Sequence, residues 1–315
     1  MRELSRNARL RALMGFTLPQ FGIFAQGTHA HHFLEFDLRD GVSATEAVPS
    51  FRRLRTSDVS AGGVNLVVAF GADAWREVAP SMSPSSLGPF SEVIGPDGHR
   101  APVTQHDAWL WISGGAPDVT FDHARAATAA ISDVAVLAAE QPAFTYREGR
   151  DETGFVDGTG NPPVRLAADA ALVPPGAPGE AGSHVLAMRW VHDLDAFHRL
   201  SVREQERVFG RTKPDSTELL GTEKPPDAHI ARVELGGDDL EIFRRSVPYG
   251  AVEEHGLYFV AFSADPSRFD RMLARMFGLD GPRDRLTDFS KPVSAGYYFA
   301  PSNAALQELA GPEEE

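Results

Sequence analysis

Cysteine is absent from all 315 residues. That absence excludes disulfides, thiolate zinc sites, iron–sulfur clusters and any thiolate-ligated or thioether-attached prosthetic group, so a metal would have to rest on histidine or carboxylate. Basic residues are also in the minority: 30 Lys and Arg stand against 44 Asp and Glu, a formal net charge of -14. Such a surface argues against a nucleic-acid backbone or an anionic membrane as the main partner and leaves a small ligand open. Long apolar runs are missing too. The basic start MRELSRNARLRALMGF is followed by no apolar stretch, twin-arginine pair or small-residue cleavage site, so a cytoplasmic protein with a loose N-terminal arm (1–30) is expected. The other end (304–315) reads as an acidic tail closing in GPEEE, without an apolar cargo-docking motif.

What is present is enough apolar residue, 42%, for one large domain or two ordinary ones. Strands are expected in HHFLEFDL (31–38), NLVVAF (65–70), AWLWI (108–112), HVLAMRWV (184–191), HIARVEL (229–235), EIFRRSV (241–247), GLYFVAF (256–262) and GYYFA (296–300), from alternation and β-branched or aromatic content. A helix is expected after Asp265 and Pro266, with Phe269, Met272, Leu273, Met276 and Phe277 as its apolar stripe and Gly278 past its end. Ser201 and Glu204 have capping-box spacing for a second helix, which stops at Gly210 just before Arg211. The near-copies VAFGAD and VAFSAD begin at Val68 and Val260, 192 residues apart, each where a strand leads into a helix. They suggest a duplication. We therefore expect an α+β fold of two ferredoxin-like (βαββαβ) halves, 31–160 and 184–303, joined by a Pro/Gly/Ala-rich loop (161–183). Two antiparallel sheets would pack face to face as a barrel-like sandwich with peripheral helices.

Three stretches hold candidate chemistry. GFVDGTGNPP (154–163) surrounds one carboxylate, Asp157, with turn formers; a structural turn explains the glycines and prolines but leaves the aspartate open. Period-two alternation in EIFRRSV puts Ile242, Arg244 and Ser246 on one face and Phe243, Arg245 and Val247 on the other. One arginine must then point inward, which calls for a partner or an anion, unless the strand is an edge with both arginines hydrated. GLYFVAF offers Leu257, Phe259 and Ala261 as an apolar wall. Among 11 histidines none shows HExxH spacing; His229 shares a face with Ala231, Val233 and Leu235, a placement that suits a core residue as well as a ligand.

Taken together, GFVDGTGNP, VHDLDAFHRLSVREQERVFGRTKPDSTEL, HIARVEL, IFRRSVPYG, HGLYFVAF and FSKPVSAGYYFAPS closely resemble the dye-decolorizing peroxidases, and among them the B type, from about His32 to Pro301. The resemblance implies a haem b (iron protoporphyrin IX) peroxidase that reduces hydrogen peroxide and oxidises dyes, phenolics or other one-electron donors, with the haem held mainly by the second half. Carried over by position, His229 resembles the axial ligand to iron, Asp157 and Arg244 the pair over the opposite face, and Leu257 and Phe259 their apolar neighbours. Arg211 is similar to the partner of a haem propionate, and Asp288 in TDFSKP to the carboxylate behind the ligand histidine. Many B-type members have Asn where this chain has Ser246, and Glu where it has Gly160; Ser246 would still donate one hydrogen bond in the catalytic group, with a shorter reach. Hydrogen peroxide and a reducing organic substrate are the implied partners, with no nucleic acid or membrane, and the fold is compatible with self-association. A haem-handling protein with little turnover would also need His229 and Arg211, but would have no use for Asp157 together with Arg244.

Overall fold

Residues 17–51, 53–54, 63–234 and 241–309 are described in the structure, a computed structural model of the chain. The apolar and aromatic runs form the long strands: β1 (Ala30–Leu38), β2 (Asn65–Gly71), β5 (Ala108–Gly114), β7 (Ser183–His192), β10 (His255–Ser263) and β11 (Ser290–Ala300). Shorter strands are β3 (Val93–Ile94), β4 (Arg100–Ala101), β8 (Phe243–Arg244) and β9 (Val247–Gly250), and β6 (Ala135–Phe144) completes the set. Between them lie α1 (Ala44–Phe51), α2 (Ala72–Val78), α3 (Pro117–Ala130), α4 (Ala167–Ala171), α5 (Leu194–His198), α6 (Val202–Phe209), α7 (His229–Val233), α8 (Ser267–Met276) and α9 (Asn303–Glu308).

Strand order gives the architecture. The sheet runs β6-β1-β5-β2-β11-β7-β10-β8, with β9 also on β10. Each four-strand block has the ferredoxin-like order in which the first strand lies between the fourth and third. The halves therefore do not form two separate sheets: β2 pairs antiparallel with β11, Gly71 opposite Tyr298 and Phe70 opposite Phe299, so nine strands are continuous. The sheet curls until the inner faces of the halves meet. Phe33 of β1 stacks on Tyr258 of β10 with ring centroids 3.9 Å apart, and aromatic pairs of this kind add roughly 0.5–1.5 kcal/mol beyond area burial. Glu35 is buried between the halves and accepts hydrogen bonds from Tyr258 (3.2 Å) and Tyr298 (2.5 Å), while Trp109 donates to the Tyr258 hydroxyl at 3.1 Å. Burial raises the Glu35 pKa against the pull of Tyr298 and Tyr258.

The helix signals hold. Ser201 and Glu204 close a capping box on α6, and Gly210 ends it with φ 84°, a left-handed turn that costs glycine nothing. The carboxylate of Asp265 accepts from the backbone and hydroxyl of Ser267 at the start of α8, whose Phe269, Met272, Leu273 and Met276 are buried. VAFGAD and VAFSAD sit at corresponding places, at the ends of β2 and β10 leading into α2 and α8. Among the described residues no helix is long and apolar enough to cross a membrane.

Several expectations need correction. HIARVEL is not a strand: His229–Val233 is a helical turn following Pro225 and Pro226, and Leu235 lies outside the described residues. EIFRRSV is strand at Phe243–Arg244 and again from Val247, where β9 begins, with a break at Arg245–Ser246, where the Val260 N–H donates to the Ser246 hydroxyl (3.3 Å). β6 escaped notice: it is Ala-rich, carries Pro142 and is exposed along most of its length, as an edge strand tolerates. The described part of the N-terminal arm is fastened, not loose. Gln20 is fully buried and bonds Val68 N, Val68 O and Pro301 O at 2.7–2.8 Å. Residues 1–16 lie outside the described residues, as do 310–315 of the acidic tail.

Replacing Glu35 tests the seam between the halves. Glu35→Leu orphans two buried phenols and should cost roughly 1–3 kcal/mol for each, read as a lower urea midpoint. Glu35→Gln still accepts a hydrogen bond and should retain most of the stability.

Candidate active site

A cavity of about 460 Å³ opens between the outer face of β7 and β10, helices α7 and α8, and the segment 151–161. Its apolar wall follows from strand register: Leu257 lies opposite Trp190 and Phe259 opposite Met188, so all four side chains share one face of the pleat. Met272, Leu273 and Met276 of α8 and Ile230 and Val233 of α7 supply further apolar lining.

The polar groups arrive from separate segments. His229 is the first residue of α7, and its Nδ1 lies 2.6 Å from Asp284 Oδ2. Asp284 is completely buried and also caps the turn Arg285–Asp288 by accepting from Leu286 N. A backbone bond from Arg285 N to Asp227 O (2.9 Å) ties that turn to the start of α7. Asp288 is therefore not the histidine's partner: it sits toward solvent, 2.6 Å from Arg283 Nη2, which turns it away from His229. The carboxylate four residues earlier in the same segment takes that place.

Asp157 is presented by a tight loop. Its N–H bonds Gly149 O (3.0 Å), its carboxylate accepts from Gly158 N (2.7 Å), and Gly154 and Gly158 have φ of 90° and 76°. These left-handed positions account for two of the glycines in GFVDGTGNPP. The Asn in that motif has a different task. Its side chain accepts from Arg244 N (2.8 Å) and donates to Arg244 O (2.9 Å), mimicking a strand partner and fixing the arginine beside the aspartate loop. Gly160 leaves room for the guanidinium, since a Cβ there would come within 2.5 Å of Arg244 Nη2. Burial raises the Asp157 pKa; the Arg244 charge works against that shift and the Asp151 charge adds to it. Burial likewise lowers the Arg244 pKa, opposed by Asp157. The Arg244 Nε is buried without a hydrogen-bond partner among the described residues.

Arg211 lines the same cavity from just past the end of α6, donating to Ser216 O (2.9 Å) and to Glu234 (3.2 Å). Ser246 does not reach this cavity; it lines a smaller one beyond Asp157 and Arg244. A group that sequence reasoning did not single out also belongs to the wall. His192 Nε2 is 3.0 Å from Asp151 Oδ1, and its Nδ1 is 2.8 Å from Ser290 Oγ. Burial disfavours the Asp151 charge, yet His192 and Thr153 bring its pKa down to about 2, and the same pairing raises that of His192. In sequence the only signal was a buried-type strand, HVLAMRWVH, ending in an ionisable residue.

The donor set suits a haem. His229 offers one imidazole whose Nδ1 is held and whose Nε2 is the free ring nitrogen, Arg211 is a cation at the cavity edge for a propionate, and Met188, Trp190, Leu257, Phe259 and Met272 offer apolar surface for the macrocycle.

Comparison with known proteins agrees with this arrangement. The family description "Dyp-type peroxidase, N-terminal" matches residues 20–145 and "Dyp-type peroxidase, C-terminal" matches 148–305. The chain is 37% identical to a dye-decolorizing peroxidase of Mycobacterium tuberculosis over 76% of this chain and 73% of that protein. It is 36% identical to one of Mycolicibacterium paratuberculosis over 89% and 82%. Among solved structures, a variant of DypB from Rhodococcus jostii RHA1 in complex with haem superposes with a TM-score of 0.81, at 31% identity over 94% of this chain and 98% of that one.

Removing the Asn161 clamp should loosen the loop without touching either charged side chain. Asn161→Ala is expected to speed amide hydrogen exchange at Arg244 and at Asp157–Gly158, at a cost of about 1–3 kcal/mol for each backbone group left unpaired.

Proposed function

Because the chain belongs to the Dyp-type peroxidase family and is a haem-dependent peroxidase, we propose that the large cavity is its haem site, with His229 as the axial ligand to iron. The observation that carries this reading is the single imidazole anchored by Asp284, lining the same cavity as a buried cation and a carboxylate held by a rigid loop. Arg211 pairs a propionate in this reading, exchanging its bond to Glu234 for it. Leu257 and Phe259 bound the side on which peroxide reacts. Membership of the B type is supported by the sequence motifs and by the likeness to DypB.

Haem supplies the iron at which the peroxide O–O bond is reduced. Asp157 moves the proton that this requires, taking it from one peroxide oxygen and delivering it to the departing one. Arg244 places a fixed positive charge where negative charge grows on the departing oxygen, and a unit charge at about 4 Å is worth roughly 4 kcal/mol at an effective dielectric of 20. Asp284 accepts the Nδ1 proton of His229, which orients the ring and makes it a stronger electron donor. Ser246 lines the smaller cavity, its hydroxyl accepting from Val260 N, and its proton is not donated to any described residue. Dyes, phenolics or other one-electron donors close the cycle in this proposal. A carrier that merely held haem would have no use for Asp157 and Arg244 locked together by Asn161.

Stopped-flow mixing with hydrogen peroxide, followed at the Soret band, tests the assignment. Arg244→Leu should slow the reaction by about 10²–10³-fold, the size seen when a group stabilising developing charge is removed; a wild-type rate would refute its role. Asp157 works as a base only when ionised, and burial raises its pKa. The wild-type rate should therefore fall about tenfold per pH unit below that raised pKa, and Asp157→Asn should flatten this acidic limb.

On the opposite side of the iron, Asp284→Asn should raise the ferric/ferrous potential in a spectroelectrochemical titration, while Asp288→Asn should leave it unchanged. The reverse outcome would restore Asp288 as the partner.

A further inference from the structure

Arg244 and Arg245 leave neighbouring positions toward opposite faces, and the peroxidase site uses only the first. Arg245 lies in a second cavity of about 260 Å³, reached across the Asp157–Gly158 turn, which shares Asp157, Asn161 and Arg244 with the large one. Its guanidinium lies over the rings of Trp111 and Phe243, 5.4 and 5.9 Å from their centroids. Among the described residues it has no ion pair and no side-chain hydrogen bond. Burial alone draws its pKa down to about 10, with no carboxylate among the described residues opposing the shift. Asp157 is the one carboxylate among the lining residues, and its charge is engaged by Arg244; the guanidinium of Arg150 is spent on the carbonyls of Gly154, Lys213 and Pro214.

His31, on the same cavity wall, adds a second donor. Trp111 Nε1 can only donate, so its 3.1 Å contact makes His31 Nδ1 an acceptor and leaves the ring proton on Nε2. That Nε2 is buried and, among the described residues, has no partner of full geometry, although the Thr28 carbonyl accepts a hydrogen bond from the ring. Burial, and then the Arg245 charge, lower the His31 pKa to about 3, so the ring stays neutral and keeps this donor across the working range. A half-buried cation without a counter-ion and a weakly bonded N–H donor are costly inside a protein unless a ligand meets them.

We propose that this second cavity is a binding site for a small carboxylate or oxyanion, held by the forked N–H groups of Arg245 and by the Nε2–H of His31. Its volume falls below the roughly 300–1,000 Å³ of sites for drug-sized ligands, which limits the occupant to a small anion and excludes a dye. Asp157 and Arg244 separate this site from the iron, so the bound anion is not an iron ligand.

The test uses ferric holoenzyme treated with one equivalent of cyanide and freed of excess, so that the iron position is already filled. Sodium formate is titrated calorimetrically, with formamide as the neutral compound of the same shape. Saturable binding of formate and none of formamide is expected, with at least about tenfold weaker formate binding in Arg245→Met, the loss of one charge-assisted contact. No binding to wild type, or equal affinity in Arg245→Met, overturns the proposal. Should that variant fail to fold, Arg245→Lys keeps the charge and loses the fork; a several-fold weaker affinity supports the site and an unchanged one overturns it. Formate at constant ionic strength should also raise the melting temperature of wild type more than that of the variant. Equal shifts would mark a general salt effect and overturn the assignment.

Discussion

Two hydrogen bonds between the Asn161 side chain and the backbone of Arg244 hold the Asp157–Arg244 half of the site together. They join a loop that follows the first ferredoxin-like half to a strand in the middle of the second. Without that clamp, an acid and a guanidinium 87 residues apart in sequence, Asp157 and Arg244, would each have its own freedom of movement. Preorganisation of this kind is what makes a fixed charge useful in catalysis, because no reorganisation is required at the moment of reaction. Arg150 extends the same logic by fastening the loop to the segment that carries Arg211.

Electrostatics then divide the work between the two sides of the cavity. Opposite His229 and its carboxylate stand Asp157 and Arg244, each pushed by burial toward its neutral form and each held back by the other. Asp151 lies on the same loop as Asp157, and its charge adds to the burial that keeps protons on Asp157. The acidic balance of the whole chain has little to do with this; what matters is which charges face the cavity without water between them.

The outline of the fold could be read from local pattern because β strands with two buried faces and capped helices leave strong signatures. β2 and β5 are buried along their whole length and read as continuous apolar runs, and the α6 capping box is a short-range motif that tertiary contacts need not supply. β6 left no such trace, since an exposed edge strand has no face to pack. His229 was found by resemblance, but its helical setting was obscured by the alternation of Ala231 and Val233. Asp284 and Asp288 lie four residues apart in GPRDRLTDF and differ only in what surrounds them: one is entirely buried, the other pairs with Arg283 at the surface. Nothing local distinguishes two aspartates in one turn.

The sequence by itself determined the class of chemistry: no thiolate, one motif-bound aspartate, an arginine pair on a strand, and a histidine that resemblance marks as a ligand. It also determined the duplicated halves, because repeated strand-to-helix junctions are written in neighbouring residues. Tertiary structure alone decided that β2 and β11 join the halves into one sheet, which carboxylate stands behind His229, that Asn161 binds Arg244, and that Arg245 has no counter-ion among the described residues. The physical reason is range. Strand alternation and helix caps are set within a few residues, whereas pairing, burial and the charge that burial permits depend on chain segments that meet only after the sheet has curled.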